Sequence, residues 1–276
     1  MNPTLILTRK EIRDGLRNRW VLAVTLLLAM LALSLGFLGS APTGTVKVDP
    51  LTVTVVSLSS LSIFLIPLIA MLLSYDAIVG EIERGTMALL LSHPVSRQQV
   101  LAGKFLGHLA ILTLATVTGY GIAGLTLQLA QGGLDLAGWT PFALLILASI
   151  LLGACFLSLG YLISSLVRER ATAAGIAIGV WLFLVVIYDM GLLGVLVADQ
   201  GRVITAPILN TLLLLNPTDI YRLLNLTGHE NIALFAGMAG LSDQASLPAS
   251  VLLMAQLLWI ALPFGLAALA FKRRAL

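Results

Sequence analysis

The stretch Pro141–Val167, reading PFALLILASILLGACFLSLGYLISSLV, decides the fold class. It carries no charged side chain, and it is longer than the roughly 20 apolar residues that cross a bilayer core as a helix. A membrane β-strand would instead alternate in polarity over about ten residues. Outward from this run, five further segments have the same character: Trp20–Leu38, Leu51–Ser74, Phe105–Leu129, Ala171–Tyr188 and Ser250–Ala270. Together they predict an all-α integral membrane protein with six transmembrane helices, forming a single domain over residues 1–276.

Composition supports the same class. Hydrophobic residues make up 59% and charged residues 11% of the chain, against about 45–50% and about 25% in soluble domains. The net charge of +3 is too small to point to nucleic acid. The single cysteine, Cys155, lies in the quoted apolar run and excludes an internal disulfide or a cysteine metal site. The first span is longer than a signal peptide's apolar region and follows a polar leader, so it is expected to be retained, despite a faintly cleavage-like Gly39-Ser40-Ala41.

Orientation follows from the basic residues. Arg9, Lys10, Arg13, Arg17 and Arg19, then Arg84, Arg97 and Lys104, then Arg168 and Arg170, then Lys272, Arg273 and Arg274 all fall on one side. Only Lys47, Arg202 and Arg222 fall on the other. Both termini of this multi-pass membrane protein are therefore expected in the cytoplasm. Leu5, Ile12, Leu16 and Trp20, with basic residues between them, suit an N-terminal helix lying in the cytoplasmic interface. The spacing of Gly175 and Gly179 suits close helix approach.

Two regions outside the lipid stand out. The loop 75–104 sets Asp76, Glu81, Glu83, Arg84, Arg97 and Lys104 around an apolar centre at Met87–Leu91. Gly85-Thr86 interrupts one helix, Pro94 starts a second, and Gly103-Lys104 leads into the third span. Such a compact element suits docking of a soluble partner. The segment 189–249 is apolar but broken by Ala206-Pro207, Asn216-Pro217, Gly228, Gly237, Gly240 and Pro248. Asn216-Pro217-Thr218-Asp219 is a helix start, with Asn as cap and Pro in the first turn. Ile220, Leu223 and Leu224 then share a face, as expected of short amphipathic helices resting on the outer surface. Asp189 reads as the residue that ends span five.

The chemistry is sparse. Ionisable residues are almost absent from the spans, which disfavours an ion-coupled transporter and an intramembrane enzyme with a nucleophile and base. His93 and His229 fall on opposite sides of the membrane and His108 stands alone in span three. Met30, Met71, Met87, Met190, Met238 and Met254 are dispersed packing residues. Gly103-Lys104 lacks the upstream glycine of a phosphate loop.

With Glu83-Arg84-Gly85-Thr86, Leu90-Leu91-Ser92, Pro94-Val95-Ser96-Arg97 and Gly103-Lys104, the loop resembles that of the membrane subunits of polysaccharide- and drug-export ABC transporters. The basic N-terminus, six spans and interrupted outer segment extend the resemblance over the whole chain. It implies a non-catalytic permease that pairs with a second copy of itself. Its loop would sit in a groove on a separate cytoplasmic ATPase dimer, which alone binds ATP and Mg. The loop residues implied in that interface are Glu81, Glu83, Arg84, Gly85, Thr86, Leu90, Leu91, Pro94, Arg97 and Lys104, with Arg168 and Arg170 from the next loop.

Residues Asn216–Leu226, followed by Gly237 and Gly240, carry a narrower resemblance, to permeases of transporters that mature the copper sites of nitrous oxide reductase in denitrification. It implies a periplasmic β-helical partner and a copper-chaperone lipoprotein, with Asn216, Asp219, Tyr221 and Arg222 as periplasmic contacts. The lack of a Cys, Met or His relay favours a mechanical role, or passage of a sulfur species, over copper crossing this subunit. Export of another small substrate is the alternative.

Overall fold

The computed structural model describes residues 2–17, 19–38, 50–130, 136–199, 203–226 and 247–274. Gly39-Ser40-Ala41, Lys47, Arg202, Gly228, His229, Met238 and the Gly237–Gly240 stretch lie outside these. The described chain is all helix apart from its turns: α1 (Pro3–Arg17), α2 (Arg19–Leu38), α3 (Pro50–Ser74), α4 (Val79–Glu83), α5 (Thr86–Leu91), α6 (Arg97–Ala130), α7 (Leu136–Leu166), α8 (Arg170–Leu182), α9 (Tyr188–Asp199), α10 (Ala206–Leu214), α11 (Pro217–Leu226) and α12 (Ala249–Arg273). A π turn, Phe183–Ile187, joins α8 to α9 without a break.

Among the described residues, five helices are long and apolar enough to cross a membrane: those over Val55–Glu83, Arg97–Thr126, Phe142–Leu166, Arg170–Asp199 and Ala249–Arg273. The 20-residue α2 covers the first expected span.

The quoted run forms the centre of the bundle, with α7 packed against α3, α6 and α12. Leu145, Leu152, Cys155, Phe156, Leu157 and Tyr161 are fully buried along it. Close approach is made by small residues. A side chain at Gly160 would collide with Ser74 Oγ on α3, and one at Gly153 with Leu112 on α6. Buried hydroxyls on these helices find partners within the bundle at several points: Ser62 Oγ lies 2.6 Å from Tyr120 OH, and Ser158 Oγ donates to the Ala154 carbonyl one turn back. Pro67 within α3 removes one ladder donor and disturbs the preceding turn, whose Phe64 carbonyl accepts from Trp181 Nε1 at 3.1 Å. Leucines, isoleucines and methionines such as Leu144, Ile178, Met254 and Leu266 stay exposed. On a bundle of this hydropathy, that surface faces lipid.

Four expectations need correction. The fifth span does not stop at Tyr188: the helix continues through Asp189 to Asp199. Pro94 does not start a helix; it lies in the turn after α5, whose first residue is Thr86, and α6 starts at Arg97. Gly103 and Lys104 are inside α6 rather than ahead of it. Gly175 and Gly179 face open space within this protomer. The glycines that admit a neighbour instead include Gly103 and Gly107, which seat α1 against α6; a Cβ at Gly103 would come within 2.7 Å of Leu7 Cβ.

Candidate functional site

The ends of α3, α7 and α12 and the starts of α6 and α8 gather at one pole of the bundle, where α1, α4 and α5 also lie. Polar ties there fix the loop that the sequence singles out. α4 begins where Ser164 Oγ, at the end of α7, accepts the backbone N–H groups of Ile78 and Val79 at 3.0 and 3.1 Å. A helix start leaves such donors without intrahelical partners, and a buried serine from another helix supplies one here. Gly85 then turns the chain with φ +72°, a conformation open to glycine at little cost. α5 is anchored by Met87, which is fully buried, while Leu90 and Leu91 pack half-buried on the core.

Lys104 is buried on α6 and lies 2.6 Å from Glu81 on α4 and 3.0 Å from Glu11 on α1. One ammonium thus fastens three elements together. His108 Nδ1 lies 2.9 Å from Tyr161 OH, and its other ring nitrogen is 3.8 Å from Glu11, so it does not stand alone. Burial works against the Glu11 charge, but the charge and hydrogen bond of Lys104 overcome it. The Glu11 carboxyl ends below its ordinary range.

A second set of ties holds the start of α8. Arg170 pairs with Asp76 at 3.0 Å, and its backbone N–H donates to Glu83 Oε1 at 2.6 Å. Arg97 donates to the carbonyls of Phe271 and Arg274 and lies over the Phe271 ring, closing the C-terminal end of α12 where orphan carbonyls and the helix dipole favour a cation. Arg274 does the same for α7, donating to Ser164 and Ser165 carbonyls at 2.9 and 3.2 Å.

The structure therefore divides the sequence-chosen residues. Lys104, Glu81 and Arg97 are internal braces, and Glu83 caps α8. Arg84, Gly85, Thr86, Pro94, Arg168 and the Arg170 side chain remain exposed, together with Leu89, which is 67% exposed. Glu11, Ser164 and Arg274 were not singled out. Lys104 lies 93 residues from Glu11 and Ser164 lies 110 from Arg274, and no local pattern marks them.

The opposite pole is built around the π turn. Widening a helix there leaves carbonyls without their usual partners, and that of Leu184 accepts from Asn216 Nδ2 at 2.9 Å and Thr218 Oγ1 at 3.3 Å. Asn216 Oδ1 also accepts the Thr218 N–H at 3.1 Å, the cap expected for α11. Arg222 donates to Asp189 at 2.6 Å and to Asp219 at 2.9 Å. Burial, reinforced by the neighbouring Asp189 carboxylate and opposed by Arg222, pushes the Asp219 carboxyl up to about 7. Tyr221 OH reaches Ser149 at 3.2 Å, and Tyr188 and Trp259 bond the Leu212 and Leu214 carbonyls of α10.

α10 and α11 are short helices, as expected, but α11 does not rest flat on the outside. It inserts between α3, α7 and α12. Asn216, Asp219 and Tyr221 are consequently buried and bind the bundle in this conformation, and only Arg222 keeps part of its surface among these four. Asp189, far from ending a helix, is the half-buried anion that receives Arg222. Among the described residues no three His, Cys, Asp or Glu side chains converge as metal ligands do.

This arrangement joins a braced loop at one end of an apolar bundle to a latched helix pair at the other. The sequence profile of the ABC-2 family transporter protein matches residues 5–276. The chain belongs to the ABC-2 transporter family. It is 46% identical over 275 residues, 99% of both chains, to the "Probable ABC transporter permease protein NosY" of Stutzerimonas stutzeri. It is likewise 46% identical over 269 residues, 97% of both chains, to the protein of the same description from Pseudomonas aeruginosa. It is a multi-pass membrane permease subunit of an ABC transporter, a role that implies an ATPase partner and a dimeric arrangement.

Proposed function

We propose that this ABC-2 permease converts ATP-driven closure of a cytoplasmic ATPase dimer into movement of α10 and α11 at the periplasmic face, in the maturation of the copper sites of nitrous oxide reductase. In this reading both termini are cytoplasmic, the permease works as a homodimer, and ATP and Mg stay on the ATPase. A periplasmic β-helical protein, cooperating with a copper-chaperone lipoprotein, receives the movement.

The observation that carries the reading is the construction of the loop. Its tip, Arg84–Thr86 with Leu89, is exposed, while Met87 is buried, Lys104–Glu81 and Ser164 bind its base to α6 and α7, and α3 runs directly into it. A force on the tip is thus delivered to α3, α6 and α7 rather than absorbed locally. At the other pole, α11 seats Ile220, Tyr221 and Leu223 in the bundle and is latched there by the Asn216 hydrogen bonds and by Arg222; breaking and remaking that polar latch is what would let the element switch between two positions. The resemblance to relatives described as NosY supports the copper-site assignment.

The test is co-expression with the cognate ATPase and periplasmic partner, purification from membranes, and assay of nitrous oxide reductase copper loading in cells. The reading expects all the subunits to co-purify, and loading to fail when Arg84 and Leu89 are replaced by acids. Retained loading with no bound ATPase would overturn it.

A further inference from the structure

The arginines of α1 are not spent on the braces just described. At 3.6 residues per turn, Arg9, Arg13 and Arg17 follow one another at i, i+4 and i+8. Leu5, Ile6 and Leu16 fall within the same arc of about 120°. All six are exposed. The acids of the helix are turned away or neutralised: Glu11 is buried against Lys104, and Asp14 lies 3.6 Å from Lys10. None of the three arginines has an ion-pair partner among the described residues. The opposite face, Leu7 and Thr8 with Glu11, is seated on Gly103 and Gly107 of α6, and the apolar α2 begins at Arg19, immediately after α1. On α2 the side chains of Leu26, Leu27 and Met30 are again exposed and apolar.

We infer that this outward face of α1 is a binding surface for anionic phospholipid headgroups. Guanidinium groups match phosphate geometry with paired donors, and the interleaved leucines and isoleucine suit the acyl boundary below it. An acidic soluble protein would satisfy the arginines but leave Leu5, Ile6 and Leu16 in water. Because Glu11 on the far side of α1 holds Lys104, and Lys104 holds Glu81, headgroups gripping α1 fix the base of the coupling loop. The charge of the inner leaflet thereby sets how firmly that loop is held. This second step rests on the cytoplasmic placement of α1 proposed above; the lipid contact itself does not.

The full-length protein is reconstituted in vesicles of equal parts phosphatidylglycerol and phosphatidylcholine, extracted, and weighed by native mass spectrometry to count retained lipids. Wild type is expected to retain phosphatidylglycerol over phosphatidylcholine. Each arginine near an anionic surface contributes about fivefold, so Arg9→Gln/Arg13→Gln/Arg17→Gln should cut that preference by well over tenfold. The matching Arg→Lys triple variant should keep most of it. Equal retention of both lipids by wild type, unchanged preference in the Gln variant, or equal loss in the Lys variant would overturn the inference. So would a Gln variant that keeps its lipid but loses its ATPase, since the arginines would then face a protein. The lipid count needs no ATPase, so it can fail while the coupling role stands.

Discussion

The Lys104 ammonium lies 2.6 Å from the Glu81 carboxylate, joining the interior of α6 to α4 at the base of the loop. Glu11 on α1 takes the other side of the same ammonium at 3.0 Å. Two carboxylates and one cation, all shielded from solvent, leave a net negative charge. The cation is therefore what allows the three elements to meet.

Replacing that cation should be costly. Lys104→Met leaves Glu11 and Glu81 without their buried counter-charge, and breaking a buried pair this way costs about 3–5 kcal/mol. Lys10 touches Glu11 and Asp14 from an exposed position, where pairs contribute about 0–1 kcal/mol. Thermal unfolding of the solubilised protein should show a large drop for Lys104→Met and almost none for Lys10→Met. Equal drops would refute the brace.

The two poles should respond to pH with opposite sign. Glu11 is held below its ordinary value, so its contribution is complete above the unfolded carboxylate pKa of about 4.3 and is lost as pH falls through the lowered value. Glu11→Gln should flatten that acid limb of the stability curve. Asp219 is raised from 3.8 to about 7, first by burial and then by Asp189. The folded state binds its proton more tightly than the unfolded chain does, so stability falls as pH rises across that window. Asp219→Asn should remove this slope. Melting temperature measured against pH separates the two, and an unchanged profile in either variant would count against the corresponding assignment.

Arg222 should control the docking of α11. Its removal leaves Asp189 and Asp219 together with no cation, a loss of about 2–5 kcal/mol. Arg222→Ala should speed amide hydrogen exchange in residues 217–226 while exchange in α7 stays unchanged. Asp189→Asn, which leaves Arg222 paired with Asp219, should give a smaller effect of the same kind. Protection of α11 at the wild-type level in Arg222→Ala would show that apolar contacts alone seat it.

Much of the architecture was legible because lipid imposes long uncharged runs, and the run Pro141–Val167 became the central helix. The start of α11 was also legible, since a cap, a proline and an acid are local chemistry. What escaped was non-local. Asp189 reads as a helix end because an acid within a span is costly, and the cost is offset by Arg222, 33 residues further on. Gly103 looks like a loop residue beside Lys104, yet it is an internal seat for α1. The loop stands out in the sequence as a region, but its division into braces and exposed tip depends on partners such as Glu11 and Ser164, which are distant in sequence.

The most direct test of the coupling role is retention of the ATPase by a permease altered only at the exposed tip. Arg84→Glu with Leu89→Asp leaves Met87, Lys104–Glu81 and the Ser164 cap untouched. The variant should therefore insert at normal levels and fold. Pull-down of the co-expressed ATPase from solubilised membranes is predicted to fall by at least an order of magnitude, as loss of a central interface contact of about 2 kcal/mol or more requires. ATPase retained at the wild-type level by a correctly inserted variant would contradict the account and move the docking surface away from this loop.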